Sequence, residues 1–321
     1  MKSVQSNFNK TIVITGGLGF VGKNFLNYIK DQYEKIIVID KFSAHSDIKF
    51  FENIADKRFQ LIKSDIGDIQ NYSSFLPNDF DLVNFAAESH VDRSFINSID
   101  FSYSNYISTH KMLEHIRISR LNPRIIHIST DEVYGTVLNE AANEEALIKP
   151  TNPYSVSKAA ADLLCQTYIN CYGLNILIIR PNNIYGPYQH KEKLIPASIL
   201  AGHGKSRLMI HGNGNQLRSF LHTNDFSSAI KKLLTLDWNE LQHNIFNISS
   251  SNEYTVNEIV EMVAKFSQKD KKEFATYTED RPFNDLRYFT SSKRLKDLGW
   301  REDEDFKKNF EELYTGIKVF G

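Results

Sequence analysis

Thr11-Ile12-Val13-Ile14-Thr15-Gly16-Gly17-Leu18-Gly19-Phe20-Val21-Gly22 reads as a short apolar strand running without a linker into a glycine-rich turn. A helix follows, with Phe25, Leu26 and Ile29 on one face, and Lys35 to Ile39 form a second strand closed by Asp40. One glycine triplet is weak evidence, but strand, glycine turn, helix, strand and acid within about 30 residues are a dinucleotide-binding unit. Gly16 allows the tight turn, and Gly19 lets backbone N–H groups approach a pyrophosphate at a helix N-terminus. Gly22 lets helix and strand pack closely. Asp40 accepts from the adenosine ribose hydroxyls and repels a 2′-phosphate, which favours NAD over NADP. Phe20, Val21, Lys41 and Ser43 are assigned with them to the cofactor.

Outward from this unit the strands continue. Phe59 to Ile62 is a third, followed by Ser64-Asp65-Ile66; Asp65 either accepts from the adenine amino group or caps a helix, and Ile66 adjoins it. Leu82 to Phe85 is a fourth, and the small residues Ala86 and Ala87 after it let the backbone lie against the cofactor. Phe101 to Ser119 reads as a helix, on which Ser104 is assigned to the cofactor. Arg124 to Ile128 is a fifth strand and delivers Ser129-Thr130-Asp131-Glu132-Val133-Tyr134-Gly135. Ligands of open α/β sheets sit beyond the carboxyl ends of the strands, so Thr130, Asp131 and Glu132 are expected at the mouth of a cleft. A helix from Asn152-Pro153-Tyr154 to Tyr172, capped by Gly173, leads to a sixth strand at Ile176 to Ile179.

From Arg180 the texture changes to irregular connections and a short strand at Arg207 to Ile210. Asn224 to Leu236 (helix) and Asn244 to Ile248 (strand) return to the first sheet, while Val256 to Ser267 and Asp305 to Ile317 are amphipathic helices of a second lobe. The fold class is α/β: a Rossmann-type doubly wound parallel sheet with a smaller α/β substrate-binding lobe. The division places 1–181 with 219–248 in the NAD-binding domain, and 182–218 with 249–321 in the lobe.

The chain has 321 residues, 41% hydrophobic and 24% charged, with a net charge of −1. That size supports one large core or two domains. Without a basic excess or a long apolar run, neither nucleic acid nor a membrane is expected as a partner. Met1 to Asn9 lack the apolar core of a signal peptide, and Cys165 and Cys171 read as two buried free thiols, so a reducing cytoplasm is expected. The histidines show no metal-ligand spacing.

Tyr154 and Lys158 stand four apart at the start of a helix, on one face. A phenol titrates near 10 and is a poor base, but a neighbouring ammonium favours its phenolate. Such a tyrosine can take a proton from a sugar hydroxyl while NAD oxidises the same carbon. Asp131 and Glu132 add two acids whose surroundings can set one as acid and the other as base.

Glycine turn, Asp40, Thr130 and Tyr154/Lys158 fall in the order of the extended short-chain dehydrogenase/reductase family, which the chain resembles. Within it the chain resembles the nucleoside-diphosphoglucose 4,6-dehydratases, through Phe85-Ala-Ala-Glu-Ser-His-Val-Asp-Arg-Ser94, Ser129 to Gly135, Asn152-Pro-Tyr-Ser-Val-Ser-Lys158 and Lys193-Leu-Ile-Pro196. The resemblance implies that Tyr154 removes the C4 hydroxyl proton, Glu132 the C5 proton, and that Asp131 protonates the departing C6 hydroxyl. NAD ends the cycle as it began. It further implies that Thr130 bonds the C4 oxygen, Lys158 holds the nicotinamide ribose, and Ser89 and Asn105 position sugar and cofactor; Asn105 can equally be a buried, satisfied amide. Asn183, Lys193, Leu194, Met209, His211, Arg218, Arg281 and Asn284 match nucleotide-sugar contact positions, the arginines suiting a diphosphate.

At the nucleotide end the chain departs from the thymidine enzymes. Arg218-Ser-Phe-Leu221 replaces Arg-Asp-Trp-Leu, Arg281-Pro-Phe-Asn-Asp285 replaces Arg-Pro-Gly-His-Asp, and His211 stands for a tyrosine. These features resemble the plant UDP-glucose 4,6-dehydratase domain of UDP-rhamnose synthases. UDP-glucose is therefore the expected substrate, with some activity on dTDP-glucose. A homodimer is implied through the helices at Asn105–Ser119 and Tyr154, and the later epimerase and reductase steps are expected from separate proteins.

Overall fold

The computed structural model describes residues 9–280 and 282–316. Twelve strands are present among them: β1 (Thr11–Thr15), β2 (Lys35–Asp40), β3 (Phe59–Lys63), β4 (Asp81–Asn84), β5 (Arg124–Ile128), β6 (Ile176–Pro181), β7 (Asn183–Tyr185), β8 (Leu208–His211), β9 (Leu217–His222), β10 (Ile245–Ile248), β11 (Glu253–Thr255) and β12 (Ala275–Thr278). Seven build one sheet in the order β10-β6-β5-β4-β1-β2-β3. All its pairings are parallel. The order reverses between β1 and β4, and a crevice opens there at the carboxyl ends.

Two-residue alternation divides each central strand between two cores. Ile12 and Ile14 of β1, Ile36 and Val38 of β2, and Leu177 and Ile179 of β6 face Phe25, Leu26, Phe226 and Ile230. Val13, Ile37 and Ile39, and Ile176 and Ile178 face Leu113, Ile116, Cys165 and Tyr168. Both faces being covered explains why these strands read as unbroken apolar runs. Cys165 is buried, but Cys171 is exposed. That corrects the expectation of two buried thiols: six residues are one and two-thirds helical turns, which carries Cys171 to the solvent side.

β9 lies between β7 and β11 in a second sheet, and β8 pairs with β12. A third core of Ile199, Ile259, Val263, Phe306 and Phe310 unites them with the helices Leu194–Gly202, Val256–Ser267 and Phe306–Thr315. β7, β9, β11 and β12 escaped the sequence reading, because they are short and mix polar with apolar residues. The expected helix at Phe101 to Ser119 also differs: Ser102–Ile107 is a π-helical turn between α-helical Ser98–Phe101 and Ser108–Ile118. The expected end of the last helix at Ile317 lies outside the described residues, as do Met1 to Phe8.

Arg180, near the end of β6, is fully buried and pairs with Asp162 through Nε and Nη2 at 2.8 and 2.9 Å. Its Nη1 donates to the Tyr134 hydroxyl at 2.7 Å, which donates to Asn247 Oδ1 at 2.8 Å. Ser129 Oγ donates to Asp162 at 3.0 Å. This network ties the turn after β5 to β6, β10 and the helix Pro153–Tyr172. No helix among the described residues is long and apolar enough to cross a membrane.

Candidate active site

A cavity of about 530 Å³ runs from the glycine turn, past the ends of β4 and β5, to the second lobe. Gly16 adopts φ +65°, and a Cβ there would lie 2.8 Å from the Ala86 backbone. Only glycine lets the turn rest against the end of β4 in this way. Gly19 precedes the helix Phe20–Ile29, whose N-terminus has no side-chain cap. Its first-turn amides suit an anion. A Cβ at Gly22 would collide with the Gly16 carbonyl and lie 2.8 Å from Gly17 Cα, so this glycine serves turn–helix packing more than helix–strand packing. Asp40 is buried and accepts from Leu18 N at 3.1 Å, Phe42 N at 2.9 Å and Ser46 Oγ at 2.6 Å, which orients its carboxylate. These residues fit a dinucleotide. Gly16, Gly19, Phe20, Val21, Gly22, Asp40, Lys41, Ser43, Asp65, Ile66, Phe85, Ala86, Ala87 and Ser104 all line the cavity. Asp65 accepts from Gly67 N at 2.8 Å, so it caps its own turn while facing the cavity.

Thr130 follows β5 by two residues and caps a 3₁₀ turn, Asp131–Tyr134, accepting from Glu132 N at 3.3 Å. Gly135, at φ +68°, closes the turn where any Cβ would meet the Lys149 carbonyl. Thr130, Glu132, Tyr154 and Lys158 line the cavity, but Asp131 does not. The expectation that all three residues of the turn stand at the cleft mouth is corrected. Glu132 forms part of the wall, while Asp131 is buried behind Thr130 and receives Asn182 Nδ2 at 2.7 Å and Thr130 Oγ1 at 3.3 Å.

Burial pushes the Asp131 carboxyl up to about 7, against the hydrogen bond from Asn182. Burial likewise raises Glu132, against the Asn152 hydrogen bond. The Tyr154 phenol is raised by burial and then by the Glu132 charge. Lys158 donates to the Ile128 carbonyl at 2.5 Å, and burial lowers its ammonium to about 8. The expected lysine-lowered phenol is therefore corrected: burial and the Glu132 charge raise the phenol against a hydrogen bond with Thr130, while Lys158 is turned to the Ile128 carbonyl.

Several residues of the site escaped the sequence reading. Asn152 Nδ2 donates to Glu132 Oε2 at 3.1 Å. The Tyr288 hydroxyl lies 3.3 Å from the same oxygen and 2.7 Å from Asp285 Oδ2. Asp285 also receives Thr136 and Thr151 hydroxyls at 2.6 and 2.5 Å. The usable signals were the Asn152 capping box and the Asn284-Asp-Leu-Arg-Tyr288 stretch. Asn105 is a satisfied amide. It bonds both backbone groups of Glu88 and the Ser157 hydroxyl, and does not line the cavity.

At the far end, Ser89, Asn183, Lys193, Leu194, Met209, His211, Arg218 and Asn284 line the wall. Lys193 Nζ donates to the Ser89 carbonyl at 3.1 Å. Arg218 lies over the Tyr288 ring at 4.6 Å and donates to Asn284 Oδ1 at 3.1 Å. Phe283, 49% exposed, also faces the cavity. Arg281 lies outside the described residues.

The chain is 38% identical over 317 residues to a trifunctional UDP-glucose 4,6-dehydratase/UDP-4-keto-6-deoxy-D-glucose 3,5-epimerase/UDP-4-keto-L-rhamnose-reductase of Arabidopsis thaliana, covering 95% of this chain and 47% of that protein. It thus spans about half the length of these plant relatives. It is 33% identical to the dTDP-D-glucose 4,6-dehydratase of Bos taurus, covering 94% of this chain and 87% of that one. The dTDP-glucose 4,6-dehydratase DesIV of Streptomyces venezuelae, solved with NAD and TYD bound, superposes with a TM-score of 0.90 at 29% identity, covering 96% of this chain and 97% of that one. The GDP-mannose 4,6 dehydratase family matches residues 13–313, through the glycine turn, the Thr130–Glu132 turn and the Tyr154 helix alike, and the chain belongs to this family of NAD-dependent nucleotide-sugar 4,6-dehydratases.

Proposed function

We propose that the protein is a UDP-glucose 4,6-dehydratase, forming UDP-4-keto-6-deoxy-glucose and water on a route toward UDP-rhamnose. The observation that carries this reading is one cavity holding the glycine turn, Tyr154 with Lys158, and Thr130 with Glu132, with Asp131 directly behind. NAD, when bound, oxidises the sugar at C4 and returns the electrons at C6. Tyr154, as the phenolate formed once its own proton has gone to solvent, would take the C4 hydroxyl proton, and Thr130 would hold the same oxygen. Glu132 takes the C5 proton, which a C4 carbonyl acidifies. Asp131, pushed up by burial to about 7 and so partly protonated near neutrality, supplies the proton with which the C6 oxygen leaves as water. Arg218 and Arg281 hold the diphosphate, in a nucleotide lobe formed by 182–218 and 249–321, to which the sheet adds the rest of β9 up to His222 in correction of the expected boundary.

Uracil over thymine is supported by Phe283, which lines the cavity with Arg218 and Asn284, and by the plant relatives. One methyl group is worth about 1–3 kcal/mol in such discrimination. The kcat/KM for UDP-glucose is expected to exceed that for dTDP-glucose by on the order of tenfold or more. Measuring both under one set of conditions decides it, and a preference for dTDP-glucose refutes the assignment.

The proposal includes a homodimer. Ile96 is 88% exposed and Ile99 75%, and Tyr103, Val156 and Leu163 are also exposed on the stretch around Ser98–Ile107 and the helix it packs against. Such apolar surface marks an interface. Sedimentation equilibrium should give twice the chain mass, and Ile99→Asp combined with Leu163→Asp should shift it toward the monomer; a monomeric wild type rejects the pairing. With one buried and one exposed free cysteine, a reducing cytoplasm is the proposed setting.

A further inference from the structure

Asn182 follows β6 and is 3% exposed. All three polar positions of its side chain are engaged. Ser250 N donates to Oδ1 at 3.0 Å, while Nδ2 donates to Asp131 Oδ2 at 2.7 Å and to Thr290 Oγ1 at 3.1 Å. A backbone N–H can only donate, so the amide oxygen must face Ser250 and the NH₂ must face Asp131. The amide cannot flip without setting two donors against each other at Ser250. Its N–H in turn needs a lone pair on Asp131 Oδ2. The carbonyl oxygen of a neutral carboxyl accepts better than its hydroxyl oxygen, so this bond at 2.7 Å favours Oδ2 as the carbonyl. The proton of the neutral acid is thereby favoured on Oδ1, 3.3 Å from Thr130 Oγ1, a hydroxyl that can turn from donor to acceptor where the amide NH₂ cannot. Thr130 belongs to the cavity wall, so Oδ1 is the oxygen on the substrate side.

We propose that Asn182 is a positioning residue for the dehydration step, its locked amide biasing the proton given to the leaving C6 oxygen toward Oδ1 of Asp131. This rests on the dehydratase reading. The step balances within the site. Glu132 takes the C5 proton, the C5–C6 double bond forms, the C6–O bond breaks, and the Oδ1 proton completes the departing water. Nothing about Asn182 marks it for this in the sequence, because its partners Asp131, Ser250 and Thr290 come from three remote segments.

The charged and titratable groups that bear on Asp131 are Glu132 on its own turn, Arg218 from β9 and the Tyr154 phenol from the neighbouring helix. Of these, Glu132 holds the carboxyl up and Arg218 down; the Asn182 bond also holds it down. An acid catalyst works while protonated, so elimination slows as pH rises through the Asp131 pKa. Loss of the amide donor raises that pKa and moves the alkaline limb to higher pH.

The test is single-turnover elimination of water from a nucleoside-diphosphoglucose, followed across pH with NAD-loaded enzyme. The variants are Asn182→Leu, of similar size without polar atoms, and Asn182→Ser in case the first does not fold. The expected result is an alkaline limb displaced upward by about one unit. At neutral pH the elimination rate should fall roughly tenfold to a hundredfold, part of what a general acid contributes. C4 oxidation, read as reduced-cofactor absorbance, should keep its rate. Asp131→Asn, which removes the limb, assigns it. A rate lowered equally at all pH values with the limb in place, or C4 oxidation slowed as much as elimination, overturns the positioning role. A wild type that oxidises no sugar and eliminates no water fails earlier and differently, by rejecting the dehydratase reading itself.

Discussion

Glu132→Gln should slow dehydration by about 10²–10⁴-fold, the range for loss of a general base, while leaving NAD affinity and C4 oxidation in place. Asn152 and Tyr288 both approach Glu132 Oε2, and no donor among the described residues reaches Oε1. A glutamine can keep its carbonyl oxygen on Asn152 and Tyr288, so the wall retains its shape. What it loses is basicity at the position of Oε1. Reduced cofactor should therefore accumulate on mixing with substrate instead of passing through transiently. In heavy water the wild-type product should carry deuterium at C5; a product without it would remove the C5 proton from the scheme. The pH dependence has a definite sign. Burial raises Glu132, which acts ionised, so turnover rises with pH through its pKa and falls again as Asp131, pushed up to about 7, loses its proton. In Glu132→Gln the rising limb should vanish and the falling one persist. Near-normal turnover in this variant would reject the assignment.

The second large effect is on stability. Arg180→Met should destabilise the protein by about 3–5 kcal/mol, because it strands the buried Asp162 carboxylate without its counter-charge. Among the described residues only the Ser129 hydroxyl and the Gln166 amide, at 3.0 and 2.8 Å, remain to donate to it. The Tyr134 hydroxyl loses its donor at the same time. Adding Asp162→Leu should recover part of the loss, since replacing both members of a buried pair is often far less costly than removing one. Denaturant midpoints for the two single variants and the double variant measure this. A midpoint for Arg180→Met within about 1 kcal/mol of wild type, at unchanged denaturant slope, would show the pair to be unimportant. The network anchors the turn that presents Thr130 and Glu132, so residual activity should fall with the loss of folded protein.

The cofactor half of this molecule was legible because its physics is local. Gly19 and Gly22 answer to contacts within one turn and its helix, and Asp40 to the turn it closes, while Gly16, at φ +65°, also meets Ala86 beyond the end of β4. Apolar runs such as Thr11–Thr15 and Ile176–Ile179 state that both faces of a strand are covered. Tyr154 and Lys158 share a helix face by spacing alone. The second lobe was less legible. Asn183–Tyr185 and Glu253–Thr255 are strands only because β9 lies between them, and pairing leaves no period in a three-residue segment.

The sequence alone therefore sufficed for the parallel sheet and for a dinucleotide at its switch point, and it singled out the acids and the tyrosine that the proposed chemistry uses. Tertiary structure alone decided how those groups behave. Asn182, Asn152 and Tyr288 reach Asp131 and Glu132 from positions 51, 20 and 156 residues away. The upward shifts of both acids and of the Tyr154 phenol come from desolvation by the assembled wall. Chain order carries neither, since burial and long-range hydrogen bonds exist only once the two lobes enclose the cavity.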